Sequence, residues 1–307
     1  MFVAPERKIS PFLNDSGRCS RRTFLGAIAG SALAAGRAGS NLALELGITT
    51  SSVDAHLASA AGSGSIALMD LPRIVRDELD MRVIDLNTNT IAKLPDGRLD
   101  AFRQAADKVG CVLTNLKMNQ RGLDMDSLDP ATRSKALTEY KRSIDTAATL
   151  GCLWARPLPS ANRPDLGIHT SSYRELAEYA AERKVELLVE NYGWMSDDPD
   201  AIPAVIRMAG ANVKAGPDTG NWSDAARYVG LEKAFPLAVT CDFKAYDLAP
   251  DGSHQAYDLE RCFRIGWRSG FRGPWCFEHA NPDRAALFRE LAILRDRLRK
   301  WMKGAPG

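Results

Sequence analysis

Short β-rich segments alternate with amphipathic helical segments from about residue 41 to the C-terminus. At four places a helical segment runs into a glycine and the next strand follows at once, at Gly110, Gly151, Gly210 and Gly270. Glycine ends a helix readily because it adopts the left-handed backbone conformation without steric cost. This punctuation divides the chain into strands that are each followed by a helix, which is the pattern of an α/β protein.

The pattern predicts eight strands and eight helices. The strands are expected at about residues 44–50, 81–87, 111–119, 152–157, 186–191, 213–218, 239–246 and 275–279. The helices are expected at about residues 71–79, 99–109, 131–150, 173–184, 201–208, 224–234, 259–267 and 284–302. Eight strand–helix units match a (β/α)8 TIM barrel, for which about 250 residues is typical. We therefore predict a single barrel domain over residues 41–303.

A doubly wound parallel sheet is the competing α/β architecture. Folds of that kind that bind nucleotides carry G-x-G-x-x-G or a P-loop after a strand. Neither motif follows any predicted strand of this sequence, and no linker or change in composition divides the region into two domains. The barrel is therefore the favoured architecture.

Residues 1–38 have the form of an export signal. A polar stretch leads into Ser20-Arg21-Arg22-Thr23-Phe24-Leu25, and a weakly apolar run over residues 26–35 ends in small residues. The arginine pair resembles a twin-arginine signal, which the Tat export machinery recognises and which predicts a periplasmic or secreted protein. The run is too short for a retained membrane anchor. A chance arginine pair before an N-terminal helix is the alternative.

Charge and cysteine content exclude several classes of protein. The chain has 40 basic and 38 acidic side chains, a net charge of +2, so no long-range field attracts nucleic acid or an anionic membrane. Beyond Cys19 the five cysteines form no C-x-x-C pair and indicate neither a disulfide framework nor a zinc ribbon. Buried free thiols are expected, with a bridge between Cys111 and Cys152 as the alternative.

Acidic side chains end the last four predicted strands. In a TIM barrel the chemistry lies at the carboxyl ends of the strands, and Glu190, Asp218, Asp242 and Glu278 stand there in strands five to eight. Four carboxylates that converge repel one another, so a bound cation or raised pKa values should accompany them. Lys244, which shares a strand face with Asp242, could offset part of this charge.

Other polar and aromatic residues near strand ends are candidates for binding substrate. Lys117 in strand three and Arg156 in strand four could clamp a substrate or form ion pairs with the barrel wall. His254 lies in the loop after strand seven and could reach the site. Trp194 and Trp222 follow two of the acidic strands and could form an apolar wall against a sugar ring, or could pack within loops.

Four runs carry a resemblance to a known family: Leu188-Val189-Glu190-Asn191-Tyr192-Gly193, Gly216-Pro217-Asp218-Thr219-Gly220-Asn221, Cys241-Asp242-Phe243-Lys244-Ala245-Tyr246-Asp247 and Cys276-Phe277-Glu278. They resemble the xylose isomerase-like TIM barrel superfamily of sugar phosphate isomerases and epimerases. In that family a divalent metal is held by Glu, Asp, His and Glu from strands five to eight. The resemblance therefore implies Glu190, Asp218, Asp242 and Glu278 as ligands, with Glu190 and Glu278 as the acid and base. We add Lys244 as a catalytic candidate, with simple charge neutralisation as its alternative.

The sequence departs from the family pattern where imidazoles are expected. Asp242 stands in place of the strand-seven His, Tyr192 replaces a frequent His, and Asn221, a candidate substrate contact, stands where another His is often found. Either the metal is a hard ion, Mn²⁺ or Mg²⁺, because oxygen ligands suit such ions, or metal binding has weakened.

Three functions are consistent with these residues. The favoured one is a metal-dependent isomerase or epimerase that moves a proton of a sugar or keto-sugar through an enediolate. The second is a lyase or hydrolase of 3-keto-glycosides, and the third is a non-catalytic sugar-binding barrel. An endonuclease, also known in the superfamily, is disfavoured because such enzymes use more histidines and a basic face. A small carbohydrate is the expected partner, nucleic acid is not, and homo-oligomerisation stays open.

Overall fold

The computed structural model describes residues 41–58, 65–95, 97–249 and 251–305. The predicted signal segment, residues 1–38, lies outside these residues. Eight strands form one parallel sheet in the order β6-β5-β4-β3-β2-β1-β8-β7. They are β1 (Leu46–Thr49), β2 (Val83–Asn87), β3 (Val112–Met118), β4 (Trp154–Pro157), β5 (Glu186–Val189), β6 (Val213–Ala215), β7 (Cys241–Lys244) and β8 (Trp275–Glu278).

The sheet closes into a barrel where β6 meets β7. Parallel bridges join Ala215 to Ala238 and Asp218 to Asp242, and the Asp242 amide donates to the Pro217 carbonyl at 2.9 Å. The (β/α)8 barrel predicted from the sequence is confirmed. Because β6 itself is short, the closing contacts extend beyond it to Asp218, which brings two of the acidic positions side by side.

Nine α-helices connect and surround the strands in the described residues. They are α1 (Leu71–Asp77), α2 (Thr88–Ile91), α3 (Leu99–Lys108), α4 (Pro130–Leu150), α5 (Leu166–Glu182), α6 (Ala201–Ala209), α7 (Arg227–Ala234), α8 (Leu259–Arg268) and α9 (Arg284–Gly304). Short 3-10 segments at Thr50–His56, Leu68–Asp70, Gly193–Asp197 and Phe235–Leu237 complete the connections. The eight predicted helices correspond to all of these except α2, a single turn after β2.

Capping residues explain where the long helices begin and end. The Asp129 carboxylate accepts from the first amides of α4, Pro130 occupies its first turn, and Gly151 ends it with φ of 79°. Helix α5 begins at Leu166 rather than near residue 173 because the Asp165 side chain accepts from the Ile168 amide at 2.9 Å. That cap extends the helix by two turns beyond the apolar periodicity.

The buried core lies between the barrel and the surrounding helices. On α4, buried side chains recur at intervals of three and four, as at Leu137, Tyr140 and Ile144, and this is the spacing of one face of a helix packed on a sheet. The five cysteines of the described residues are buried free thiols, as expected from the sequence. None of the helices in the described part of the chain is long and apolar enough to cross a membrane.

Candidate active site

A cavity of about 210 Å³ opens at the carboxyl ends of the strands. Its walls are almost entirely polar: Ser51, Asn87, Asn89, Lys117, Asn119, Arg121, Arg156, Leu158, Glu190, Tyr192, Asn221, Lys244 and Glu278. Carboxamide, hydroxyl and charged groups of this kind bind hydroxyl-rich ligands by hydrogen bonds. The cavity lies at the face of the barrel where TIM-barrel enzymes carry their active sites.

Three of the four acidic side chains lie close together beside this cavity. Carboxylate oxygens of Glu190, Asp218 and Asp242 all lie within 4.8 Å of one another, and these residues are 4%, 0% and 5% exposed. The Asn191 side chain fixes Asp218 by donating to its carbonyl and accepting from its amide, at 2.9 and 2.8 Å. This buried triad could hold a metal ion. Glu278 is held separately.

Two lysines from opposite sides of the barrel pair with these carboxylates. The Lys117 ammonium from β3 lies 2.6 Å from Asp242 Oδ2 and 3.7 Å from Glu278 Oε2. The Lys244 ammonium from β7 lies 2.8 Å from Asp218 Oδ2 and 3.3 Å from Glu278 Oε1. Each lysine therefore bridges two acidic side chains, and Glu278 is the carboxylate that they share.

Glu190 is linked to the same network from the other side. Its Oε2 lies 2.7 Å from the Arg156 guanidinium nitrogen Nε, and its Oε1 accepts from Asn221 Nδ2 at 2.8 Å. The Asn221 oxygen in turn accepts from the Lys244 ammonium at 2.6 Å. A continuous chain of polar contacts therefore joins Glu190, through Asn221 and Lys244, to Glu278.

The charges shift the pKa values of the buried groups. Burial penalises the ionised form of Asp218 and raises its pKa to about 6, although Lys244 opposes this. Burial raises the pKa of Asp242 well above its usual value, with further contributions from Glu190 and Asp218. Burial alone would also raise the pKa of Glu278, but Lys117, Lys244 and the Tyr246 hydroxyl outweigh it and lower the pKa to about 2. Glu278 is thus ionised at neutral pH.

The sequence match decides the family. Residues 58–303 match the family described as Xylose isomerase-like TIM barrel. The chain belongs to this family. Among curated proteins, none matches the sequence closely enough to show a relationship.

Several solved structures resemble this xylose isomerase-like barrel. An L-ribulose 3-epimerase superposes with a TM-score of 0.69 at 14% identity, covering 85% of this chain and 95% of its own. A D-psicose 3-epimerase from Clostridium cellulolyticum H10, solved with D-tagatose, gives 0.68 at 14% identity and covers 84% and 99%. A xylose isomerase-like protein from Mycobacterium smegmatis, in complex with magnesium, gives 0.59 at 18% identity and covers 85% and 96%. At these identities the likeness shows the shared fold.

The family resemblance implies a divalent metal, which the carboxylate oxygens of Glu190, Asp218 and Asp242 would have to bind. A hard cation needs several free oxygen lone pairs. Both Glu190 oxygens have partners, Asp218 Oδ1 accepts from the Gly220 and Asn221 amides, and Oδ2 atoms of both aspartates have a lysine ammonium within 2.8 Å. Within the described residues, two of these six oxygens, Asp218 Oδ2 and Asp242 Oδ1, are buried without a hydrogen-bond partner, and the first of them has the Lys244 ammonium 2.8 Å away. The spacing suits a metal ion, but the triad as it stands does not fit one because two ammonium groups and a guanidinium group already contact its carboxylates.

Several predicted residues are in the barrel mouth, and three, Trp194, Trp222 and His254, are elsewhere. Lys117, Arg156 and Asn221 line the cavity, although each also pairs with a glutamate or an aspartate or bridges to one. Trp222 is 2% exposed and does not line the cavity, because its ring fills the space left by Gly230, where a β-carbon would lie 2.6 Å from it. Its predicted role as a wall against a sugar is replaced by packing. Trp194 also packs within the protein and does not line the cavity, and its ring contacts that of His169.

His254 does not reach the cavity. A short antiparallel bridge joins Leu248 to His254, and His254 lines a separate pocket together with Tyr257 and Trp301. The His254 ring stacks edge-on against Tyr257 with centroids 4.4 Å apart, and its Nδ1 lies 3.0 Å from the Tyr257 carbonyl oxygen. The prediction that His254 binds substrate is therefore not supported by its position.

Two residues of the site were not identified in the sequence analysis. The Tyr246 hydroxyl donates to Glu278 Oε1 at 2.8 Å, and its position two residues after Lys244, inside the strand predicted at 239–246, is the signal that could have identified it. Gly220 lies against the stem of Lys244, so that a β-carbon there would be 2.6 Å from Lys244 Cδ. The loop after β6 therefore leaves space through which Lys244 reaches Asp218.

Proposed function

We propose that this chain is a sugar isomerase or epimerase that moves a proton at the carbon next to the carbonyl of a sugar or keto-sugar, through an enediolate. The observation that carries the proposal is the pair Glu190 and Glu278. Both line the cavity, and Asn221 and Lys244 connect them through hydrogen bonds and an ion pair. The two solved epimerases to which the fold is similar act on ketoses, L-ribulose and D-psicose, which supports a sugar with a carbonyl group.

The chemistry assigned to the two glutamates follows from their places in the cavity wall. Glu278 is ionised at neutral pH and accepts a proton from the carbon beside the carbonyl. The electron pair left on that carbon moves to the carbonyl oxygen and forms the enediolate. Glu190, acting in its protonated form, gives a proton to the opposite face of the same carbon while the oxygen re-forms the carbonyl, which yields the epimer. For the isomer the proton goes to the former carbonyl carbon, and the neighbouring hydroxyl passes its proton to the enediolate oxygen as it becomes the new carbonyl. Proton exchange with solvent then restores both glutamates to their starting forms. Neighbouring cations stabilise the negative oxygen while it exists.

The cation that performs this stabilisation is a separate question. The sequence predicts Mn²⁺ or Mg²⁺, and carboxylate oxygens are the ligands that such ions prefer. Glu190, Asp218 and Asp242 would hold the ion once their present partners were displaced. The proton transfer between Glu190 and Glu278 is proposed whichever cation is used.

Turnover of ketohexoses tests the proposal. Purified full-length protein is incubated in separate reactions with D-fructose, D-psicose and D-tagatose, and products are followed by NMR. We expect conversion of at least one sugar into its epimer or isomer. Glu278→Gln and Glu190→Gln should each lower kcat by about 100-fold or more, the usual contribution of a general acid or base. Glu182→Gln, on an exposed surface of α5, is the matched control and should keep full activity.

The other outcomes separate the alternative functions. Release of an alcohol from a 3-keto-glycoside, with no epimer formed from free ketoses, would identify a lyase or hydrolase. Saturable sugar binding without any product would identify a binding barrel and refute the enzymatic proposal. We also propose, from the arginine pair at Arg21 and Arg22, that the protein is exported and meets free or glycosidic sugars.

A further inference from the structure

Lysine side chains, and not the buried aspartates, face the cavity at the centre of the site. Lys117 and Lys244 line it together with Glu190 and Glu278, whereas Asp218 and Asp242 do not. The two aspartates contact the ammonium groups instead, at 2.8 and 2.6 Å. A ligand in the cavity would therefore meet positive charge supplied by the protein.

The two ammonium groups are fixed from several directions. Lys117 lies between Asp242 and Glu278, with only 3% of its side chain exposed. Lys244 lies between Asp218 and Glu278 and also donates to Asn221. Burial alone would lower the pKa of both lysines, but the surrounding carboxylates outweigh it and raise the pKa values above the ordinary range. Each ammonium group lies between two carboxylates, so both side chains are held as cations and neither is a free amine that could attack a carbonyl.

We propose that Lys117 and Lys244 are the resident cations of this site and act in place of a divalent metal ion. The inference rests on the proposed function and names the groups that stabilise its intermediate. When Glu278 takes the proton from carbon, the electron pair moves to the carbonyl oxygen. The two ammonium groups donate hydrogen bonds to the negative oxygens of the enediolate and keep their own protons. When a proton returns to carbon, the electron pair leaves the oxygen and the lysines are unchanged.

The protein cations already at the site would repel a divalent metal ion. Three protein cations, Lys117, Arg156 and Lys244, already face the carboxylates of Glu190, Asp218, Asp242 and Glu278. An ion among the triad oxygens would lie beside the two ammonium groups that now contact them. Repulsion between cations at such distances is strong because the site is buried. The replacement of the expected strand-seven His by Asp242 accompanies this arrangement, since a carboxylate pairs with Lys117 and a neutral imidazole would not.

Manganese binding tests the inference without the need for a substrate. EDTA-treated full-length protein is titrated with MnCl2, and bound Mn²⁺ is measured by the loss of the free-ion EPR signal. We expect no stoichiometric binding by the wild type. In Lys117→Met/Lys244→Met, where both competing charges are gone, one Mn²⁺ should bind roughly a thousandfold more tightly or better. Lys233→Met, which removes an exposed lysine paired with Asp200 at 2.7 Å, should behave as the wild type.

Two results would overturn the inference. One is a wild type that binds one Mn²⁺ per chain and loses it in Asp218→Asn. The other is a folded lysine variant, judged by circular dichroism, with no gain in Mn²⁺ affinity. If the double variant does not fold, Lys244→Met alone is used, because Lys244 is the more exposed of the two lysines.

Turnover with and without chelator separates this inference from the proposed function. We expect the ketohexose conversion to be unchanged by EDTA and by added Mn²⁺, and to fall by about 100-fold in Lys244→Met, as when one stabilising donor is removed. Activity that is lost with EDTA and restored by Mn²⁺ would refute the lysine inference and leave the isomerase proposal intact. Absence of turnover under every condition would refute the isomerase proposal, and the Mn²⁺ titration would still decide what occupies the cation site.

Discussion

Removal of Lys117 should destabilise the barrel strongly, because it leaves a carboxylate buried without its partner. The Lys117 ammonium lies 2.6 Å from Asp242 Oδ2, and the side chains are 3% and 6% exposed. Breaking a pair buried to this degree costs about 3–5 kcal/mol. For a domain of this size that corresponds to a fall in Tm of roughly 10 °C. Lys117→Met keeps most of the side-chain volume, so the loss measures charge more than packing.

The pH dependence of the stability loss in Lys117→Met identifies the cause of that loss. Burial already raises the pKa of Asp242, and Lys117 opposes that rise. Without Lys117 the pKa is expected to rise further, so the folded state must bind a proton at Asp242, and this becomes harder as the pH rises. A carboxyl group whose pKa is raised by folding gives full stability at acidic pH and loses it as the pH rises. The deficit of Lys117→Met should therefore be larger at pH 8 than at pH 5.

Thermal and urea unfolding of a small set of variants provides the assay. Lys117→Met/Asp242→Asn, in which both charges are gone, should recover at least about 2 kcal/mol of the loss, since an unpaired charge is the main cost. Lys233→Met, which breaks the exposed pair with Asp200, should cost about 1 kcal/mol or less. The reasoning is refuted if Lys117→Met costs no more than this control, or if the double variant is less stable than the single one.

Three further predictions follow from the site and the N-terminal segment. The pKa of the Glu278 carboxyl is lowered from 4.5 to about 2. Its ionised form therefore contributes about 3 kcal/mol of stability above pH 4.5, and this is lost as the pH falls through about 2. In Glu278→Gln, the Tm should vary much less over this pH range. In Gly220→Ala the new methyl group would lie 2.6 Å from the Lys244 stem and should displace it. Turnover should fall about tenfold or more, while the Tm, measured alongside, changes by only a few degrees. Replacement of Arg21 and Arg22 by lysines should retain the protein inside the cell, and fractionation with immunoblotting detects the change.

The alternation of strands and helices was sufficient to predict the barrel. Each of the eight strands lies inside its predicted range, because parallel strands buried on both faces are apolar and their flanking helices are amphipathic. The errors concern helix ends that side chains determine, such as the Asp165 cap of α5. Periodicity does not reveal a polar capping residue two turns before the first apolar position.

The sequence predicted which charged residues meet, but not how they pair. Strand ends indicated that Glu190, Asp218, Asp242 and Glu278 converge, and the barrel brings them to one cavity or directly beneath it. Lys117 was predicted only as a substrate clamp or a wall ion pair. Its contact with Asp242 joins β3 to β7 across the barrel, and no local pattern records which charges face each other across a closed sheet. The position of Trp222 depended on Gly230, a glycine inside a helix whose missing side chain provides the space.

Exchange of a carbon-bound hydrogen with solvent tests the central claim most directly. EDTA-treated enzyme is incubated with ketohexoses in D2O, and deuterium in the recovered sugar is located by NMR. We predict deuterium at the carbon beside the carbonyl with the wild type, and none above background with Glu190→Gln/Glu278→Gln. A wild type that leaves every sugar unlabelled, or a double variant that labels as fast as the wild type, would contradict proton transfer by these two glutamates.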